Sequence, residues 1–358
     1  MNKLKKKIVK KIYQKSGSIS LDEFIDICLF DENGYYKKKY PIGKSADYTT
    51  APEISQLFGE ILGIYIYNFW KNYLNCGFNL VELGPGKGTL LDDILRICKH
   101  FKNFLYSVNL NLVEINPRLM ELQKKNLKKY NNVLKKIRWS KDFNPIKKQP
   151  SIIFANEFFD CFGIKQFINI DKKWYEKHIN FNNEEDKFFI YNKVINNQKL
   201  IKKLNTIHQQ SPNQIIEISD KRSKYFKNLC KFIKKYSGII IIIDYGYKKN
   251  IHYSSLQSIK SHRHTNILDN PGNQDITSLV NFKNFEQIAH KIKLHVYGTY
   301  SQKEFLESNG IKERKNNILK KASTNQKKSI EKGYERLVAN DQMGKTFKCL
   351  IISSCILN

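Results

Sequence analysis

Two short stretches hold residue types and spacings that could do chemistry. In VELGPGKGTL (residues 81–90), Glu82 precedes three alternating glycines, Gly84, Gly86 and Gly88. Missing side chains let a flat ligand touch the backbone, and the start of a following helix offers free N–H groups. In SIIFANEFFD (residues 151–160), an apolar run releases Asn156, Glu157 and Asp160, with two phenylalanines between the acids. Acids among aromatics suit a cationic, planar acceptor. A carboxylate can grip a guanidinium in a fork, and it can take up a proton. The plainer alternative is that Asn156 and Asp160 cap a following helix.

Three ligands compete for the glycine turn. A nicotinamide or flavin dinucleotide wants G-x-G-x-x-G, but here the third glycine falls one residue early and position 89 is Thr. A phosphate-binding P-loop wants G-x-x-x-x-G-K-S/T. The local order is GKG, and the GKT at 344–346 has Ala339 where the leading glycine should stand. S-Adenosylmethionine is served by an acid and then G-x-G-x-G at the end of a first strand, and VELGPGKG has that order. It carries no phosphate, so the turn need only pass a ribose and a cationic aminoacyl tail. LNLVEI ends in Glu114, where a carboxylate at the tip of the second strand can hold both ribose hydroxyls. Glu82 either meets the cofactor's amino group or ties down the loop as a strand-end acid. Asp142, in RWSKDF, follows the third strand and is placed to face the adenine amino group.

Strands must end side by side to bring these residues together. NLVEL, SVNLNLVEI, SIIFA, GIIIIIDYG (238–246) and KLHVYGTY (293–300) read as strands, and MGKTFKCLIISSCIL as a last one. TLLDDILRICKHF and PRLMELQKKNLKKY read as helices, the second with Pro at its start. The alternation predicts an α/β fold: a Rossmann-like, mostly parallel sheet with helices on both faces. KQFINI, KWYEKHINF and KFFIYNKV predict an inserted antiparallel β region. Ahead of the sheet lies an N-terminal helical segment: a short amphipathic helix at the start, then helical stripes over 19–33 and 54–74 with a Tyr- and Thr-rich loop between them. The broad stripes fit either a core or a homodimer face. The expected division is N-terminal helices and active-site loop (1–75), cofactor-binding half (76–160), inserted substrate-side region (161–214) and the remainder of the sheet domain (215–358).

The bulk numbers exclude several classes. No apolar run in the 358 residues approaches a membrane span, and the lysine-rich start has no apolar core of a secretory signal. Seven scattered cysteines form no CxxC pair, which argues against a zinc site and fits a reducing cytosol. His262 and His264 in SHRH lack a carboxylate or Cys in step with them, so no metal is expected. The net charge of +29 invites a nucleic-acid partner. However, 55 of the 62 basic residues are Lys and they are spread along the whole chain, as on a solvated surface. No recognisable nucleic-acid module is present.

The segments ADYTTAPEISQLFGE, VELGPGKGTLLDDILR, ANEFFD, IIIIDYG, PGNQDIT and RLVANDQMGKTFK, in this order, resemble the MidA-like family over roughly residues 4–351. The resemblance implies a class I methyltransferase fold, S-adenosylmethionine as cofactor, and arginine N-methylation of a protein partner linked to respiratory complex I. It also implies that Thr50, Ala51, Pro52, Glu53 and Ser55 form a signature loop that closes over the active site, although Glu53 after a Pro is equally an ordinary first-turn acid. On this reading Glu157 holds the guanidinium, with Asp160 or Glu53 helping. One segment departs from the family. After Asp275-Ile276-Thr277 the chain reads Ser278-Leu279-Val280-Asn281-Phe282, without the usual polar residue and acid. That motivates a cofactor-binding assembly protein without turnover as the alternative, with a nucleic-acid methyltransferase behind it. The family's mitochondrial members start with a transit segment, so a chain beginning at the domain is expected in a bacterial cytoplasm.

Overall fold

Uninterrupted Ile, Leu and Val runs form strands only where both faces are covered. The computed structural model describes residues 3–38, 50–134, 136–144, 146–207 and 214–357. Its central sheet contains β1 (Phe78–Leu83), β2 (Val108–Val113), β3 (Lys136–Ser140), β4 (Ser151–Asn156), β5 (Gly238–Tyr247), β6 (His295–Ser301) and β7 (Phe347–Ser353). The spatial order is β3-β2-β1-β4-β5-β7-β6. β1 lies parallel to β2 and β4, and β4 parallel to β5; β7 runs antiparallel to both β5 and β6. The five inner strands are buried, and the edge strands β3 and β6 are largely half-exposed. Chain order reverses between β1 and β4. A crevice therefore opens at their carboxyl ends, where Gly84, Glu114 and Glu157 follow their strands.

Eight helices matter to the site: α1 (Lys3–Gln14), α2 (Leu21–Phe30), α3 (Ala51–Ile54), α4 (Gln56–Phe69), α5 (Thr89–Cys98), α6 (Pro117–Leu127), α7 (Asp220–Tyr236) and α8 (Phe282–Lys291). α4 and α5 pack on one face of the sheet and α7 and α8 on the other. Gly59 and Gly63 let α5 come close, since a Cβ at Gly59 would stand 2.5 Å from that of Asp93. The stripe of α4 (Leu57, Phe58, Ile61, Leu62, Ile66, Phe69) is buried in this core, so it is not a surface for a second copy. Glu60, also buried, binds Arg96 of α5 and Arg314 of a C-terminal helix, each at 2.6 Å.

The antiparallel insertion forms as the alternating pattern predicts, from Lys165–Ile170, Lys173–Asn182 and Lys187–Val194. Its sheet also takes Ile215–Ile218 and, from the N-terminal segment, Ile19–Ser20. α1 and α2 cover one face through Leu4, Ile8 and Phe24, while helix Gln198–Ile207 covers the other through Leu204. The N-terminal helices and the insertion thus make one layer over the crevice. No helix among the described residues is long and apolar enough to cross a membrane.

Candidate active site

The glycine turn is built as its sequence suggests. Gly84, Gly86 and Gly88 have φ of 64°, 53° and 81°, and Gly88 is the residue that opens α5. At Gly84 the need is double: the backbone is left-handed, and a Cβ would lie 2.9 Å from the Phe158 ring. Glu114 follows β2 and is buried. One of its oxygens accepts the Asn116 N–H at 2.8 Å, and the other lies 3.3 Å from Gln123 Nε2. Burial pushes its carboxyl up to about 7. Gln123 of α6 also donates to the Gly86 carbonyl at 2.7 Å and accepts from Trp139 at 3.0 Å, so it braces the ribose-side acid against the turn. Glu82 is pushed up to about 8, first by burial and then by the charge of Glu114, and its Oε2 is buried with no partner.

Glu157 terminates β4 in a left-handed conformation, φ 50°, which is costly for a residue with a Cβ. Its N–H is held by the Ile243 carbonyl at 2.9 Å. Its Oε1 accepts from Asn156 Nδ2 at 3.1 Å and from the Ala51 N–H at 3.4 Å. Burial, then the neighbouring charge of Asp160, pushes the Glu157 carboxyl up to about 8. Asn156 Oδ1 and Asp160 Oδ1 are buried without partners. Asp160 Oδ2 accepts the Tyr245 hydroxyl, and burial raises this carboxyl too.

No helix follows this segment, so Asn156 and Asp160 cap nothing. Turns run from Asp160 into strand Lys165–Ile170. The reason is Asp244, at the end of β5: its Oδ2 takes the N–H of Phe159 at 2.9 Å and of Asp160 at 3.3 Å. Those donors are therefore held by a side chain instead of entering a helix.

Two cavities meet here. One of about 470 Å³ is lined by Glu114, Ile115, Phe158 and Tyr225, with Phe30 and Tyr36 from the N-terminal layer. A smaller one of about 40 Å³ has Thr50, Glu53, Glu82 and Asn156 on its wall. Gly84, Gly86 and Glu157 line both. Glu53 is tied to the glycine turn by Lys87 at 3.1 Å and by the Thr89 hydroxyl. Of the signature loop, Thr50 to Ser55 are described, and residues 39–49 of the preceding segment lie outside the described residues. Asp142 is not brought to either cavity. It is exposed, and its carboxylate accepts from the Phe143 N–H and from Asn144 Nδ2 within its own turn, while Lys141 takes the place on the wall.

Other polar groups at the site come from distant segments. Asp275 is buried, accepts the Tyr36 hydroxyl at 2.9 Å and acts on Glu157 by its charge. Arg222 of α7 holds the Asp160 and Leu279 carbonyls at 3.3 Å and 3.0 Å, and the Ser278 hydroxyl at 2.7 Å. Tyr225 Oη is buried without a partner on the wall of the larger cavity. The departing segment is therefore built in: Ser278 is one of Arg222's partners, and Asn281 caps α8, which it can do as well as an acid. His262 and His264 sit exposed on a hairpin. Among the described residues no group of three or more metal-ligating side chains occurs.

The groups left open match S-adenosylmethionine. A glycine cradle passes between two chambers, an acid stands at the ribose end, and the orphaned oxygens of Glu82 and Asn156 await a donor such as an ammonium group. Sheet order, glycine turn and strand-tip acid together define a class I methyltransferase.

Comparison with known proteins narrows this. Residues 61–300 match the family described as "Putative S-adenosyl-L-methionine-dependent methyltransferase", and the chain belongs to that family. It is 30% identical to the mitochondrial protein arginine methyltransferase NDUFAF7 of Xenopus laevis, over 94% of this chain and 81% of that protein. It is 29% identical to the mitochondrial NDUFAF7 homolog of Caenorhabditis elegans, over 97% of this chain and 85% of the homolog. A Burkholderia thailandensis crystal structure with bound S-adenosylhomocysteine superposes with a TM-score of 0.85 at 20% identity, covering 98% of this chain and 91% of that one. That likeness establishes the fold.

Proposed function

We propose that the protein transfers a methyl group to an arginine side chain of another protein. The carrying observation is a cluster of acids in a chain of net charge +29: Glu157 lines both cavities, and the buried Asp160, Asp244 and Asp275 stand close enough behind it to act on one another by charge. Such a cluster fits a cationic acceptor and disfavours an anionic one.

S-Adenosylmethionine, when bound, supplies an activated methyl group. Glu114 would hold its ribose hydroxyls, Glu82 and Asn156 its ammonium group, and Gly84 and Gly86 give it room. Glu157 holds the guanidinium in a fork and orients the accepting nitrogen, so that most of the rate gain comes from alignment. Arrival of the cation favours the ionised Glu157. Asp160, with Oδ1 open and Oδ2 on Tyr245, takes up the proton lost on methylation. The layer made by the N-terminal helices and the insertion at 161–214 is the proposed substrate side. The mitochondrial relatives named as protein arginine methyltransferases support the acceptor, and the sequence resemblance points to a subunit of respiratory complex I. The seven free thiols fit a reducing compartment, and a bacterial cytoplasm is the proposed one.

The test uses methyl-labelled cofactor and a lysate of cells lacking the gene, with methylarginine read by mass spectrometry. The wild type should label arginine. Glu157→Gln should bind S-adenosylhomocysteine normally and lose transfer by about 100-fold or more. Labelling of nucleic acid, or near-normal transfer by the variant, would overturn the reading.

A further inference from the structure

The insertion ends in an edge strand of unusual character. Strand Lys187–Val194 pairs along one side with Lys173–Asn182, and no other strand among the described residues pairs with its outer side. Nine large apolar or aromatic side chains are exposed among the described residues, and four of them sit on this one strand. Phe189 is 42% exposed, Ile190 45%, Tyr191 46% and Val194 51%. A long, apolar, open edge is a template for another strand, and natural proteins normally blunt it with charge, proline or a cover. Here the lysines stand only at positions 187 and 193 and leave the middle bare.

We propose that this edge pairs with the same strand of a second copy, making a two-fold dimer with one sheet continuous across the interface. The inference is independent of the chemistry proposed above.

Symmetry limits the registers. A two-fold axis through an antiparallel strand pair stands perpendicular to the sheet, so it keeps each side chain on its own face and must pass through a pair of identical residues. Centring on Ile190 would set Lys187 opposite Lys193 on both sides of the axis, and like charges directly opposite are destabilising. Centring on Phe189 avoids this. Phe189 then meets its own copy, Phe188 faces Ile190 and Lys187 lies over Tyr191. Glu185 lies in the turn just before the strand, at the end that this register brings toward Lys193 of the second copy. The strand and its acidic turn are thus complementary in charge to themselves, with two Glu185–Lys193 pairs closing an aromatic centre. The overall charge of +29 on each copy opposes association, but beyond about 8 Å it is screened at physiological salt.

Sedimentation velocity over a rising concentration series tests this. The wild type should move from monomer to dimer. Phe189→Lys and Tyr191→Lys, both at exposed positions and so tolerable to the fold, should stay monomeric, while Tyr300→Lys, at an exposed site elsewhere, should dimerise as the wild type does. Glu185→Lys and Lys193→Glu should each weaken the dimer several-fold, and the two together should restore it. A wild type that stays monomeric up to its solubility limit overturns the proposal and leaves the edge to a different protein. A dimer indifferent to Phe189→Lys and Tyr191→Lys overturns it as well. Failure of the double charge swap to restore pairing overturns the register centred on Phe189.

Discussion

Asp244 Oδ2 accepts the main-chain N–H of Phe159 at 2.9 Å. A carboxyl on β5 thereby holds the turn that leaves β4 and fixes where Glu157 and Asp160 stand. Asp244 itself is fully buried, its carboxyl raised well above the usual range by burial, then by the charges of Asp160 and Glu157. Replacing it with Ala leaves the N–H groups of Phe159 and Asp160 without acceptors. Asp244→Ala should cost about 1–3 kcal/mol in denaturant unfolding. It should lower kcat much more than it weakens S-adenosylhomocysteine. Equal losses in kcat and cofactor affinity would show that Asp244 does not act through the turn.

The raised carboxyl of Glu157 predicts the pH dependence of the reaction. The free enzyme holds this group protonated below about 8, and gripping a cation needs the carboxylate. The kcat/KM profile should therefore climb with pH to a plateau, with a midpoint near 8. The limb in kcat should lie lower, because a bound guanidinium favours the charged form. A flat kcat/KM profile from about pH 6 to 9 would remove Glu157 from this role.

Glu114 and Asp142 separate two ideas about the nucleoside. Glu114 lines the larger cavity, whereas Asp142 is spent on its own turn. Calorimetry with S-adenosylhomocysteine should show Glu114→Ala weakened about 10- to 100-fold, the worth of hydrogen bonds to a charged group. Asp142→Ala should bind within about 2-fold of the wild type, as expected for an exposed side chain outside the cavity. Equal weakening by both would mean that Asp142 swings in with the ligand.

Glu82 should be visible in stability. Its folded value of about 8 lies above the ordinary 4.5, so folding favours the protonated form. Its contribution is whole below about pH 4.5 and is lost as pH rises to about 8. Glu82→Gln should flatten the decline of stability between those values by up to about 1.4 kcal/mol per pH unit, one proton's worth. The comparison is of denaturant midpoints at a series of pH values, and an unchanged slope would show that Glu82 is not protonated in the fold.

The glycine turn, the strand-tip acid Glu114 and the antiparallel insertion were legible because each is local: spacing, strand length or alternation within about ten residues. The turn after β4 was legible only as a place. Its conformation depends on Asp244, 85 residues on, so the left-handed Glu157 and the missing helix could not be read from NEFFD. Asp244 itself left a usable signal. GIIIIID ends in an acid at a strand's carboxyl tip, as SIIFANE does, and the same rule would have marked it. Asp275, Tyr36 and Arg222 left none, since burial and contact brought them in from separate segments. Helices Gln302–Ser308 and Thr324–Val338 were signalled by Ser301 with Glu304 and by Ser323 with Gln326, pairs at capping-box spacing that the structure forms.

Ile19 is bonded in register with Ile179, and Ser20 with His178. At ordinary rates of translation the ribosome needs about 8–30 s to make the stretch between them. During that interval α1 and α2 have emerged with Leu4, Ile8 and Phe24 uncovered, because the sheet they will bury against has not been synthesised. The nascent chain therefore carries Leu4, Ile8 and Phe24 of its future roof without the strands that will bury them. The crevice gains its cover only after the hairpin at 173–194 has left the exit tunnel.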